Sequence, residues 1–148
     1  MNESLSRLAD QIGLAQPQQE ALRYAFALAC VSRVSHLLEH PRAMACLAVL
    51  EDFVQRRADT PALTAAAREA AEVARSHRGS NSIDGASHAA VSATHAVARA
   101  LAGNALDAAS YAAYAAVYAY GGYAVKDPAA FEPEFEWQVQ QLRRLARV

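Results

Sequence analysis

Residues 84–120 read DGASHAAVSATHAVARALAGNALDAASYAAYAAVYAY, two alanine-rich segments joined at little more than Gly103. In each segment the polar residues recur at steps of three and four, which places them on one face of a helix. If the segments fold back antiparallel about Gly103, residues equidistant from it meet. His88 then faces Tyr118, Ser92 faces Tyr114, His95 faces Tyr111, and Arg99 faces Asp107. The expectation is a ladder of hydrogen-bonding partners along an otherwise methyl-lined seam. Alanine lets helix axes approach to about 8 Å, the near limit for packed helices, so these two segments are the expected central pair.

Working outward, the chain carries helix formers throughout and has no alternating apolar segment bounded by turns. The fold class expected is all-α, a compact bundle of seven helices forming one domain over residues 1–148. The first helix runs from Ser4 to Ile12 and stops at Gly13, and the second from Pro17 to His40. Pro41 opens the third, with Met44, Leu47, Leu50 and Val54 as its apolar stripe and Arg56-Arg57 in its last turn. Thr60-Pro61 caps and starts the fourth, which turns Leu63, Ala66, Ala70 and Val73 inward as far as His77.

Residues 78–83 are a Gly/Ser/Asn-rich loop, Asp84 caps the fifth helix, and Asn104 with Asp107 caps the sixth. Gly121-Gly122 ends the sixth. The last helix starts near Pro133, with Glu132, Glu134 and Glu136 at its beginning and Arg143, Arg144 and Arg147 at its end, an order that suits the helix dipole. Its core contacts are expected from Phe135, Trp137, Leu142 and Leu145.

Composition narrows the partners. Fourteen basic against 15 acidic residues leave a net charge of −1, with no overall field to draw nucleic acid or anionic lipid. With 53% hydrophobic residues the chain can bury a core. The uncharged run Ala108 to Val125 holds five tyrosines, no Leu, Ile or Phe, and a Gly-Gly break, so a buried helix is expected rather than a membrane span. The first ten residues carry charges and no apolar run, unlike a secretory leader, and a cytoplasmic protein is expected. Cys30 and Cys46, either side of the turn at His40-Pro41, are expected out of level for a disulfide and serve as small core residues.

Three candidate chemistries compete. His36, Glu39 and His40 spell the H-x-x-E-H order of a zinc peptidase class, in which two histidines bind metal and the glutamate activates water. Pro41 spoils that setting by placing His40 in a terminal turn. His88 and His95 stand about 10 Å apart along one helix, too far to share a metal, so scaffolding of the tyrosine seam outweighs catalysis. The alternative is that the ladder opens into a cleft where Tyr111, Tyr114 and the histidines grip a partner or small ligand. No catalytic residue, cofactor loop or paired C-x-x-C motif is expected. Self-association through the tyrosine helix is a further reading.

The stretch FALACVSRVSHLLEHPRAMACLAVLEDF, residues 26–53, with SHAAVSATHAVARALAGNALDAASYAAYAA further on, resembles the immunity-five family of bacterial polymorphic toxin systems. The resemblance rests on Cys30, Arg33 and Val34, on Pro41 to Ala43, and on Glu136-Trp137-Gln138. It implies an all-helical, cytosolic, non-catalytic protein that binds a cognate protein toxin and needs no cofactor. The partner-facing anchors expected are Arg33, Tyr120, Tyr123 and Trp137, aromatic and arginine residues of the kind that dominate interfaces.

Overall fold

The computed structural model describes residues 1–77 and 86–148, and these hold seven α-helices and no strand. The helices are α1 (Glu3–Ile12), α2 (Glu20–Ser32), α3 (Pro41–Val54), α4 (Thr60–Ser76), α5 (Ala86–Leu101), α6 (Ala105–Tyr120) and α7 (Glu132–Ala146). The loop expected at 78–83 and the cap expected at Asp84 lie outside the described residues. As the alanine pattern requires, α5 and α6 form the most extensive helix pair. Ala89, Ala93, Ala96 and Ala100 of α5 and Ala105, Ala108, Ala109 and Ala112 of α6 are buried. Methyl groups at these positions let the two backbones close on each other without a void.

Gly103 makes the bend. Its φ of +80° is left-handed, and a Cβ there would lie 3.2 Å from the Tyr24 hydroxyl, so both the backbone and its neighbour call for glycine. One residue later the Asn104 carboxamide accepts from the Asp107 amide at 3.3 Å and donates to the Asp107 carboxylate at 2.9 Å, the reciprocal cap expected for α6.

Around this pair, α2 packs on α6, α5 and α7, α3 and α4 close the α5 side, and α1 rests on α7. Phe26, Val31, Leu50, Val73, Val97, Leu101 and Leu142 fill the resulting core. Cys30 and Cys46 are both buried there as free thiols. Burial pushes the Cys30 thiol far above its ordinary range, and the nearby Glu134 carboxylate adds to the effect. A thiol held protonated is packing, not a nucleophile.

Four local expectations need correction. The second helix does not reach His40: Pro17–Gln19 is a 3₁₀ turn, α2 ends at Ser32, and a second 3₁₀ turn covers Ser35–Leu37. That tightening still buries Val34 and Leu38, which is why the apolar spacing imitates a continuous helix. In α3, Met44 is exposed, and the buried face is Ala43, Cys46, Leu47 and Leu50. Arg56-Arg57 lie past the last turn, because Arg56 takes a left-handed φ of 63° and the Arg57 amide reaches back to the Asp52 carbonyl at 2.7 Å. The cap of α4 is Asp59, whose carboxylate accepts from the Ala62 amide at 2.9 Å, and Thr60 is already helical.

Two 3₁₀ turns, Gly122–Lys126 and Pro128–Phe131, carry the chain from α6 to α7. They lay Ala124 and Phe131 over Ala113 and Val117, forming a small second core with Phe135 at its edge. Asp127 starts the second turn by accepting from the Ala129 amide at 3.1 Å. Among the described residues, no helix is long and apolar enough to cross a membrane.

Candidate partner-binding surface

The ladder predicted across Gly103 keeps its register and changes its chemistry. His88 stacks on Tyr118 with ring centroids 5.1 Å apart and planes 27° apart, and His95 stacks on Tyr111 at 5.1 Å and 20°. Arg99 approaches Asp107 at 4.0 Å and lies 5.8 Å over the Tyr111 ring. Face-to-face rings replace the expected imidazole–phenol hydrogen bonds, none of which forms among the described residues. Ser92 is buried, but its expected partner Tyr114 turns away, meeting Phe131 edge-on at 5.1 Å and Tyr118 at 6.3 Å.

Because His88 and Tyr114 are exposed and Tyr111, Tyr118 and His95 half-buried, this seam is a ridge at the surface and not the heart of the core. Partial burial, the Arg99 charge and the His77 charge together hold His95 below the usual histidine range. Among the described residues, the buried Nδ1 of His77 has no hydrogen-bond partner.

A cavity of about 530 Å³ opens where the two 3₁₀ turns cross α6. Its lining includes the small apolar residues Ala116, Val117 and Ala124, the two tyrosines Tyr120 and Tyr123, and the acidic residues Asp127 and Glu134. Tyr120 is 79% and Tyr123 74% exposed, unusual for rings of that size on a helical surface whose other aromatics are mostly covered. Tyr123 owes its position to Gly121: a Cβ there would come within 2.5 Å of the Tyr123 ring.

Glu134 ties this cavity to the remaining two expected anchors. Its carboxylate accepts from Arg33 Nε at 2.7 Å and from a terminal Arg33 nitrogen at 3.2 Å, while the same guanidinium lies 4.5 Å over the Trp137 ring. Arg33, just past the end of α2, and Trp137 thereby fasten that helix to α7, with Arg33 exposed and Trp137 half-buried. All four anchor candidates fall around one region. From the sequence Glu134 reads only as one of the acids that suit the start of the last helix, and Asp127 has no expected role, although Asp127-Pro128 is a turn signal in its own right.

The histidine–glutamate motif comes apart. His36 sits in a 3₁₀ turn, Glu39 is exposed, and the His40 ring nitrogen accepts from the Arg42 amide at 3.2 Å, capping the start of α3. Zinc peptidases of this order need both histidines on one helical face, and the helix has already ended at Ser32. His40 thus lies at the N-terminus of α3, not in the last turn of the second helix where the sequence places it. Among the described residues no three His, Cys, Asp or Glu side chains are grouped to hold a metal ion.

Such features define an all-helical protein whose unusual surface is an aromatic, acid-rimmed cavity beside a tyrosine–histidine ridge. The chain matches the family of Imm-5 like putative immunity proteins over residues 13–145, and it belongs to that family. No curated protein and no solved structure matches it significantly.

Proposed function

We propose that this protein is a non-catalytic immunity protein that binds a cognate toxin polypeptide in the cytoplasm and neutralises it by covering the toxin's working surface. Family membership supports the immunity role. The observation that carries the binding role is the pair of exposed rings, Tyr120 and Tyr123, lining a cavity whose edge is fixed by the Arg33–Glu134–Trp137 clamp. Tyrosines add contact area at small entropic cost, and a pre-set rim spares the cost of ordering it on binding. The free thiols Cys30 and Cys46 suit a reducing compartment.

Co-production with the toxin encoded beside this gene tests the reading. Wild-type protein is expected to restore growth and to co-purify with the toxin. The double variant Tyr120→Ala with Tyr123→Ala is expected to fold normally and protect poorly. Wild-type protein that neither binds nor protects against any neighbouring toxin would overturn the proposal.

A further inference from the structure

The cavity lined by Tyr120 and Tyr123 has a charge character that the whole chain lacks. Although the net charge is −1, residues 127–136 contain Asp127, Glu132, Glu134 and Glu136 and no basic residue. Two of these carboxylates line the cavity, and they differ in what they already hold. Both oxygens of Glu134 are engaged by Arg33. Asp127 uses one oxygen, Oδ1, to cap its turn, and among the described residues it joins no ion pair. Beside the cavity the protein displays how it receives a cation: the Arg33 guanidinium carbon lies 4.5 Å over the Trp137 ring while the Glu134 carboxylate holds its nitrogens. Tyr120, Tyr123 and Asp127, all in the cavity lining, bring together the same two kinds of group, aromatic rings and a carboxylate.

We infer that this cavity is the receptor for an arginine side chain projecting from the partner protein. The guanidinium stacks against the tyrosine faces and donates to Asp127, while its methylene stem covers Ala116 and Val117. At about 530 Å³ the space admits the side chain together with part of the chain that bears it. Lysine fits less well, because a compact ammonium is more strongly hydrated and cannot stack and donate in one plane. This inference rests on the partner-binding reading for its biological meaning, but its test uses no toxin.

The test is an amide-resolved NMR titration of the full chain with Nα-acetyl-arginine methylamide, and in parallel with the citrulline analogue, which is nearly isosteric and uncharged. Saturable shifts are expected at residues 120–127 with arginine, with a dissociation constant on the order of millimolar for a single anchoring side chain. Citrulline is expected to bind at least about fivefold more weakly, and Asp127→Asn, which can still cap the turn, to weaken arginine by roughly three- to tenfold. Tyr123→Ala supplies the same readout should the asparagine variant fold poorly. Equal shifts from citrulline, or arginine shifts that miss residues 120–127, would overturn the inference. A negative titration leaves the toxin reading standing, and a failed toxin assay leaves the titration to stand on its own result.

Discussion

Gln138, only 2% exposed, donates from Nε2 to the Ala109 carbonyl at 2.8 Å and accepts at Oε1 from the Asn2 carboxamide at 3.2 Å. Asn2 uses its remaining acceptor to cap α1 through the Leu5 amide at 3.1 Å and also donates to the Phe135 carbonyl at 3.1 Å. One buried amide therefore couples α7 to α6 and, through a helix cap, to α1.

Replacing Gln138 by alanine is expected to cost about 2–3 kcal/mol, since it opens a cavity and strands the Asn2 donor. Asn2→Ala is expected to cost about 1–2 kcal/mol through the lost cap and bridge. Urea denaturation of both single variants and the double variant measures the link. Independent, fully additive losses would show that the bridge carries no coupling.

The hairpin bend offers a sharper test. Gly103→Ala forces a side chain into a left-handed conformation, at a cost of about 1–2 kcal/mol, and presses its Cβ toward the Tyr24 hydroxyl. Adding Tyr24→Phe removes that nearest atom and leaves the ring carbon 3.5 Å away, an ordinary contact. The double variant is expected to recover the steric part of the loss and none of the backbone part. Thermal midpoints of the four proteins decide this, and no recovery at all would mean that Tyr24 does not crowd the position.

The same bend made the centre of the molecule legible in the sequence. Three of the four polar pairs equidistant from Gly103 meet, His88 with Tyr118, His95 with Tyr111 and Arg99 with Asp107, because two helices joined by one left-handed residue keep a fixed register, whereas Ser92 and Tyr114 do not pair. The kind of contact was not legible: imidazole and phenol can bond edge to edge or stack, and closely approaching backbones bring them face to face. Nor was the end of α2 readable. Val31, Val34 and Leu38 keep near-helical spacing, and no breaker precedes Pro41, so a 3₁₀ turn that buries the same side chains leaves no mark. The cavity is hidden for a different reason. Gly121-Gly122 and Asp127-Pro128 announce turns, but only their folding back over Val117 puts Tyr123 and Asp127 beside Tyr120.

Burial beside Tyr111 and the neighbouring Arg99 and His77 charges hold His95 below its unfolded value of about 6.5. The folded chain therefore binds fewer protons at this site than the unfolded chain does. Its contribution is intact above pH 6.5 and is progressively lost as pH falls toward the lower folded value. Urea midpoints measured from pH 8 to pH 5 are expected to decline on the acid side, and His95→Gln is expected to flatten part of that decline. A variant with the wild-type slope would assign the pH dependence to other groups.

Tyr123 can be displaced without being removed. Gly121 has an extended φ of 163°, so alanine meets no backbone strain there, yet its Cβ would fall 2.5 Å from Cε1 of the Tyr123 ring. The ring is exposed and can swing aside, so Gly121→Ala is expected to change stability by less than about 0.5 kcal/mol. Its effect on binding at the proposed surface should be larger, because the ring loses the position in which it lines the cavity together with Tyr120. On the proposed toxin-binding role, affinity read by calorimetry is expected to fall by roughly fivefold, much of what Tyr123→Ala would cost at an interface anchor. Should Gly121→Ala bind as tightly as wild type while Tyr123→Ala does not, the ring would matter for its bulk and not for where Gly121 holds it.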